Sequence, residues 1–301
     1  QPHNLAPLAV FFPYMRMKVI MANRLTNSWE LVKASASVLN KDKELLIFPI
    51  ISAIGTTILT VLFFIPFIFG SALDVFFSDR YQILSYAVIF LFYILQYSII
   101  FFANTALVGA AMIRLQGGDP TVSDGFRIAW DRFASIIGYA LIAATVGLIL
   151  KAASERSRGL GRFVVSLLGM SWNLATFLVV PVLAVEEIGP IEAVKRSASL
   201  LKRTWGEQIA GNLGMGLVFG LATFFVLFFG TGLAVLAAIT LNDWILPAAI
   251  ILLMVLALIL IGLMNSTLGG IYAAAVYQYA TTGQSDGFFE PALVENTFIR
   301  Q

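Results

Sequence analysis

Cysteine is absent from this 301-residue sequence, and histidine occurs once, at His3. The lack of cysteine excludes disulfides, thiolate metal sites and cysteine nucleophiles. The lack of further histidines removes the commonest general base and most sets of metal ligands. No Gly-rich phosphate loop is present. We therefore expect no enzyme activity, no cofactor and no bound metal, with a Ser–Lys dyad as the alternative left open.

Charged side chains are also scarce. They make up 12% of the residues, against 59% apolar residues, whereas a soluble domain carries about 25% charged residues. So few charges could not cover the surface of a soluble protein, and the composition predicts a multi-span membrane protein. The net charge of +2 is too small to indicate nucleic acid. The expected partners are membrane lipids and, as a second class, other membrane proteins, in an oligomeric state that the sequence does not define.

Six long intervals of the chain lack charge. They are residues 45–73, 81–113, 133–150, 163–185, 208–242 and 244–285. Because a helix needs about 20 apolar residues to cross the bilayer, we expect one transmembrane helix in each interval. The last interval is long enough for a helix that projects beyond the lipid, and Gly269-Gly270 is its only candidate for a turn. The predicted fold is an all-α membrane protein with six transmembrane helices in one domain, residues 26–284.

The two ends of the chain differ from this domain. Residues 1–25 are expected to be an N-terminal extension that is non-native or disordered, because the apolar run after His3 lacks the basic lead-in of a signal peptide. Residues 285–301 are expected to form a C-terminal cytoplasmic tail.

Lysine and arginine predict the orientation. Of the 19 basic residues, 14 fall on the side of both termini. The other five are Arg80, Lys151, Arg156, Arg158 and Arg162. Because basic loops stay in the cytoplasm, we expect a multi-pass protein of the cytoplasmic (inner) membrane with both termini cytoplasmic. The Lys151–Arg162 loop, with four basic residues, runs against this majority.

An internal repeat joins distant parts of the chain. The segment 32–39 (VKASASVL) matches 194–201 (VKRSASLL) at six of eight positions. Three helix starts align with it: Asn27-x-x-Glu30, Thr121-x-x-Asp124 and Gly189-Pro190-x-Glu192, which resemble N-terminal capping sequences. We expect three repeats of one unit, an amphipathic interfacial helix followed by two spans.

The helices that these caps open carry apolar stripes at helical spacing. The residues of these stripes that we expect at the membrane interface are Trp29, Phe126, Trp130, Phe133, Ile191 and Val194. Polar residues occupy the opposite faces, so these helices are predicted to lie in the cytoplasmic interface. The alternative is a helix that faces solvent and packs on its own loops.

The segment 180–207 (VPVLAVEEIGPIEAVKRSASLLKRTWGE) resembles an uncharacterised prokaryotic family of six-span integral membrane proteins, known only as a domain of unknown function. The likeness extends from about Asn27 to Phe289. A fainter likeness, an acid, a glycine and an Ala-x-x-x-Ser helix after a span, is to the membrane region of glycerophosphodiester phosphodiesterases. The catalytic domain of those enzymes has no counterpart here, so the resemblance implies a fold and a location but no activity.

Polar residues inside the predicted spans are few, and asparagine is the conspicuous one. Asn104 and Asn265 occupy matching segments, and Asn173 lies at the corresponding depth of the fourth span. Because a buried amide in lipid needs partners, the three amides are expected either to bond helices together or to form a polar ligand site at the repeat axis.

Glu186 and Glu187, just after the fourth span, are the second candidate for a ligand site. Two adjacent acids suit a cation or a headgroup amine. The alternative is a pair of structural acids bonded to a neighbouring base, for which Lys195 is the expected partner. Pro181 is predicted to kink the fourth span one turn earlier.

The functional expectation is therefore a non-enzymatic protein with a role in membrane organisation, lipid contact or partner scaffolding. The alternative is a transporter or channel for a small or amphiphilic solute, with its site near the three asparagines.

Overall fold

The computed structural model describes residues 29–69, 78–203, 208–241 and 244–283, and these are helical with no β-strand among them. The predicted N-terminal extension, the C-terminal tail and the Asn27 cap lie outside the described residues. Ten α-helices are described: α1 (29–41), α2 (Ile47–Phe69), α3 (Gln82–Leu115), α4 (Val122–Asp131), α5 (Phe133–Arg156), α6 (Leu160–Ala175), α7 (Val179–Val185), α8 (Pro190–Arg203), α9 (Gln208–Leu241) and α10 (Ile245–Thr282).

Six of these segments are long and apolar enough to cross a membrane, which confirms the predicted number of spans. The six spans are α2, α3, α5, α6 together with α7, α9 and α10. The last span, α10, is one unbroken helix of 38 residues with no turn at Gly269-Gly270. At 1.5 Å per residue it extends about 57 Å, so it is longer than the hydrocarbon core of a bilayer.

The fourth span is broken where the sequence predicts a kink. Helix α6 ends at Ala175 and α7 begins at Val179, because Pro181 has no N–H to bond the carbonyl of Phe177. The buried hydroxyl of Ser197 closes the break. It donates to the Ala175 carbonyl at 2.7 Å and accepts from the Leu178 N–H at 3.0 Å.

Each short amphipathic helix precedes two spans along the chain, in the order α1, α2, α3, then α4 to α7, then α8 to α10. The predicted cap of α4 is present: the Thr121 hydroxyl accepts from the Asp124 N–H at 3.2 Å, and the Asp124 carboxylate accepts from the Thr121 N–H at 3.0 Å. The Thr121 hydroxyl also donates to the Asp124 carboxylate at 2.7 Å, and this hydrogen bond, together with that from the Thr121 N–H, holds the pKa of Asp124 below its ordinary value. Helix α8 begins at Pro190, as the third cap predicts. A threefold arrangement of the units in space stays a prediction.

The core lies mainly at one end of the helix bundle, which we call the packed end. There the amphipathic helices meet the starts of α2 and α5 and the last turns of α3, α7 and α10. Representative fully buried side chains are Val38, Leu45, Phe48, Leu107, Ile136, Leu178, Leu200 and Ile271. We call the opposite end, where α3 begins and α5 finishes, the open end.

Two features show how closely the packed end is assembled. A Cβ on Gly125 of α4 would lie 2.4 Å from the ring of Phe48 and 2.7 Å from the Ala106 carbonyl, so only glycine fits there. Arg114, at the end of α3, bonds to both carboxylate oxygens of buried Asp42 and to Asp119. This contact joins the connection before α2 to the end of the second span.

Candidate functional site

The asparagine level lies where α3 and α10 run side by side. A Cβ on Gly270 would lie 2.5 Å from a methyl group of Leu107, which places Asn104 and Asn265 within about one helical turn of each other along the bundle. Asn104 is half-buried, whereas Asn265 and Asn173 are exposed.

No hydrogen bond joins any two of these three amides within the described residues. Beside Asn104, the hydroxyl of Thr105 is buried and has no hydrogen-bond partner in the part of the chain that the structure describes. The last turns of the even-numbered spans, in α3, α7 and α10, do contact one another. A ligand site at this level stays a prediction.

The Glu186–Glu187 pair makes three ionic or polar contacts at the packed end. Oε1 of Glu186 accepts from Nε of Arg196 at 2.9 Å and from the hydroxyl of Tyr277 at 3.0 Å. Oε1 of Glu187 accepts from Nη2 of Arg132 at 2.9 Å. These contacts connect the loop after α7 to α8, α10 and the start of α5.

The prediction that Lys195 is the basic partner of the two acids is wrong. Successive residues of a helix point about 100° apart, and Arg196 is the one that meets Glu186, while Lys195 is exposed. The hydrogen bond to Glu186 raises the pKa of Arg196 above its ordinary value. The contacts are those of the structural alternative, and binding of a cation or a headgroup amine by the two acids stays a prediction.

The aromatic stripe of α4 divides between the bundle and the exterior. Phe126 packs edge-on against Phe48, with ring centroids 5.2 Å apart. Trp130 is 68% exposed and stacks at 5.3 Å on Phe133, which is 44% exposed. Phe102 of α3 meets both of these rings edge-on at 6.3 Å.

The apolar stripes of α1 and α8 also contain both buried and exposed residues. Most of the α1 stripe packs on the spans, but Trp29 is 50% exposed. On α8, Val194 packs against the core while Ile191 is 56% exposed. The exposed members, Trp29, Trp130, Phe133 and Ile191, form what we call the apolar rim of the packed end. The prediction that whole stripes face lipid is too broad, because protein covers most of each stripe.

A cleft near the open end lies between α3 and α5 and was not expected from the sequence. It has a volume of about 130 Å³ and is lined by Tyr93, Tyr97, Ala144, Gly147, Leu148 and Lys151. Its aromatic wall continues toward the packed end as a ladder. Tyr97 stacks on Phe101 at 5.6 Å, and Phe101 contacts Tyr139 at 4.6 Å. Tyrosines four residues apart are typical of any buried helix face, so only the pairing of α3 with α5 reveals the cleft.

A polar contact inside the spans was also not predicted from the sequence. Nε2 of Gln96, on α3, donates to the hydroxyl of Thr60 on α2 at 2.7 Å and to the Thr56 carbonyl at 3.3 Å. Such hydrogen bonds hold transmembrane helices together. Across the described residues, no group of three or more acids and histidines could hold a metal ion.

The chain was compared with known protein families and with curated proteins. No curated protein matches the chain, and the likeness to the membrane region of glycerophosphodiester phosphodiesterases is not shown. One family model matches residues 83–288, from the first turn of α3 to beyond the end of α10. Because this match covers more than half of the chain, this multi-pass membrane protein belongs to that family, a family of unknown function (DUF6159).

Proposed function

We propose that this protein is a non-enzymatic membrane protein that contacts and organises lipid at one membrane surface. The observation that carries the proposal is the apolar rim. One face of each amphipathic helix packs on the spans, and a bulky apolar side chain beside it, Trp29, Trp130 or Ile191, stays exposed. Exposed aromatic and aliphatic side chains at the ends of spans suit the boundary between headgroups and acyl chains.

Contacts with the spans position the rim, which favours an organising role. Phe102, on the second span, contacts the rings of Trp130 and Phe133. The hydrogen bond between Glu186 and Arg196 joins α8 to the end of α7. Lipids must therefore adapt to the rim. Scaffolding of a partner protein would use the same surface. Lipid is the better ligand because Lys195 and Lys202 are exposed on α8 and suit anionic headgroups, whereas the exposed Lys33 and Arg127 are paired with Glu30 and Asp124.

The proposed setting is the cytoplasmic membrane, with the packed end and both termini in the cytoplasm. The support for this orientation is the sequence bias of basic residues, 14 of which fall on that side.

The experiment that tests the proposal is fluorescence quenching of Trp130 in reconstituted vesicles. The chain has five tryptophans, so the other four are replaced by phenylalanine. We expect brominated lipid to quench Trp130 strongly and aqueous iodide to quench it weakly. The matched control places the only tryptophan at position 127 by Arg127→Trp on the polar face of α4, where iodide should be the better quencher. Quenching of Trp130 by iodide alone contradicts the proposal.

A second measurement tests the organising role itself. In vesicles that contain a spin-labelled phospholipid, the double change Trp130→Ser with Phe133→Ser should lower the fraction of lipid that the protein immobilises. Leu160→Ser is the matched control, because Leu160 is also exposed but lies at the open end. An immobilised fraction unchanged by the double change, or lowered as much by the control, contradicts the role of the rim.

The transport alternative has one supporting observation, the meeting of α3, α7 and α10 close to the unpartnered hydroxyl of Thr105. Its test is the triple change of Asn104, Asn173 and Asn265 to leucine. A folded triple variant that fails to complement a deletion favours transport. Full complementation contradicts it and leaves the lipid function.

A further inference from the structure

The cleft between α3 and α5 combines an apolar wall with a cation at its mouth. Tyr93 and Tyr97 face Gly147 and Leu148, and Lys151 completes the lining. Lys151 is exposed and lies near the end of α5. The hydroxyls of the two tyrosines make no hydrogen bond within the described residues, so they are available as donors.

Gly147 gives the cleft its depth. A Cβ at this position would lie 3.7 Å from the hydroxyl of Tyr97, so any larger side chain would extend into the space beside the ring. A cavity of about 130 Å³ is comparable to one that holds a benzene-sized group. It therefore fits a segment of an acyl chain or part of a headgroup, and the rest of a lipid would lie along the helices in the bilayer.

The connection that follows Lys151 carries charge mainly of one sign. The connection from Lys151 to Arg162 also contains Arg156 and Arg158, against the single acid Glu155. If the packed end is cytoplasmic, these basic residues lie on the side where the positive-inside bias disfavours them. An anionic ligand at this surface explains why they are there.

We infer that this cleft binds one anionic phospholipid, with its phosphate at Lys151 and the tyrosine hydroxyls and one acyl chain along the aromatic wall. The inference rests on the proposed function, which makes lipid the class of ligand, but it places a specific site at the opposite end from the apolar rim. Charge complementarity selects an anionic over a zwitterionic lipid, and the ladder from Tyr97 to Phe101 supplies a surface for the chain.

The test is native mass spectrometry of the full chain in neutral detergent, titrated with phosphatidylglycerol or with phosphatidylcholine of the same acyl chains. We expect the first phosphatidylglycerol to bind more tightly than phosphatidylcholine. Lys151→Gln should weaken phosphatidylglycerol binding about fivefold, the contribution of one accessible ion pair, and Lys151→Arg should restore it. Gly147→Leu, which fills the cleft, should weaken binding of both lipids.

Arg158→Gln is the matched control, because it removes one positive charge from the same connection without altering the cleft lining. If it weakens binding as much as Lys151→Gln does, the preference is general surface charge and the inference is overturned. Equal binding of both lipids by the wild-type chain overturns it too. Displacement of the lipid by inorganic phosphate at equal concentration would mean that the site recognises a free phosphate, which also overturns it.

The result of this binding test can be distinguished from the result of the test of the proposed function. Trp130 quenching by brominated lipid reports only on the packed end, so it should be identical in wild-type and Lys151→Gln backgrounds. If the wild-type chain shows no preference for phosphatidylglycerol while Trp130 is quenched normally, this site alone is refuted, whereas failed quenching refutes the rim.

Discussion

Replacing Ser197 with alanine removes the hydroxyl that closes the break in the fourth span. The change leaves the N–H of the buried Leu178 and the carbonyl of the half-buried Ala175 without this partner. Each unsatisfied buried group costs about 1–3 kcal/mol. We expect Ser197→Ala to lower the free energy of unfolding by about 1–3 kcal/mol, chiefly because the buried N–H of Leu178 is left unsatisfied.

The internal repeat supplies a matched control for this change. Ser35 occupies the equivalent position on α1 and is equally buried, but its hydroxyl has no hydrogen-bond partner in the part of the chain that the structure describes. Because Ser35→Ala removes an unsatisfied polar group and leaves none behind, it should be neutral or slightly stabilising.

The assay is unfolding of the two purified variants in mixed micelles with increasing denaturing detergent, followed by circular dichroism. Ser197→Ala should unfold at a lower detergent fraction than Ser35→Ala. The free energies of unfolding of the two variants should differ by at least about 1 kcal/mol. Equal midpoints for the two variants would refute the reasoning, because they would show that the serine hydroxyl has the same value with and without its two partners.

Two further predictions follow from the packed end and the orientation. Glu186→Gln should destabilise the protein by about 0.5–1 kcal/mol, because the partly exposed Arg196 loses its charged partner, while Lys195→Ala should change stability little. Equal effects in the same unfolding assay would contradict the assigned pair. In intact cells, a membrane-impermeant thiol reagent should label Ser157→Cys and leave Thr282→Cys unlabelled, and the reverse pattern would invert the proposed orientation.

Much of the fold is readable from the sequence because its signals are local. Uncharged intervals define the six spans, since lipid tolerates few charges within a helix of about 20 residues. Pro181 predicts the break in the fourth span through its missing N–H, and the Thr121-x-x-Asp124 pattern predicts a cap whose partners lie in one turn of chain.

The unpredicted features depend on how helices are rotated about their axes. Whether Lys195 or Arg196 meets Glu186 depends on which face of α8 turns toward α7 and α10. The cleft depends likewise on which faces of α3 and α5 are opposed. An apolar stripe looks the same whether lipid or protein covers it, so the division of the α4 stripe into buried Phe126 contacts and exposed Trp130 could not be read in advance.

The concentration of the core at the packed end bears on how the protein meets membranes of different hydrophobic thickness. Helices α3 and α9 have 34 residues each and extend about 51 Å, well beyond a hydrocarbon core of about 30 Å. Long helices adapt to a thin bilayer by tilting. Because the ion pairs of Arg114 and Glu186 lie at the packed end, a change of tilt moves chiefly the open end, so the rim keeps its geometry while the bilayer thickness varies.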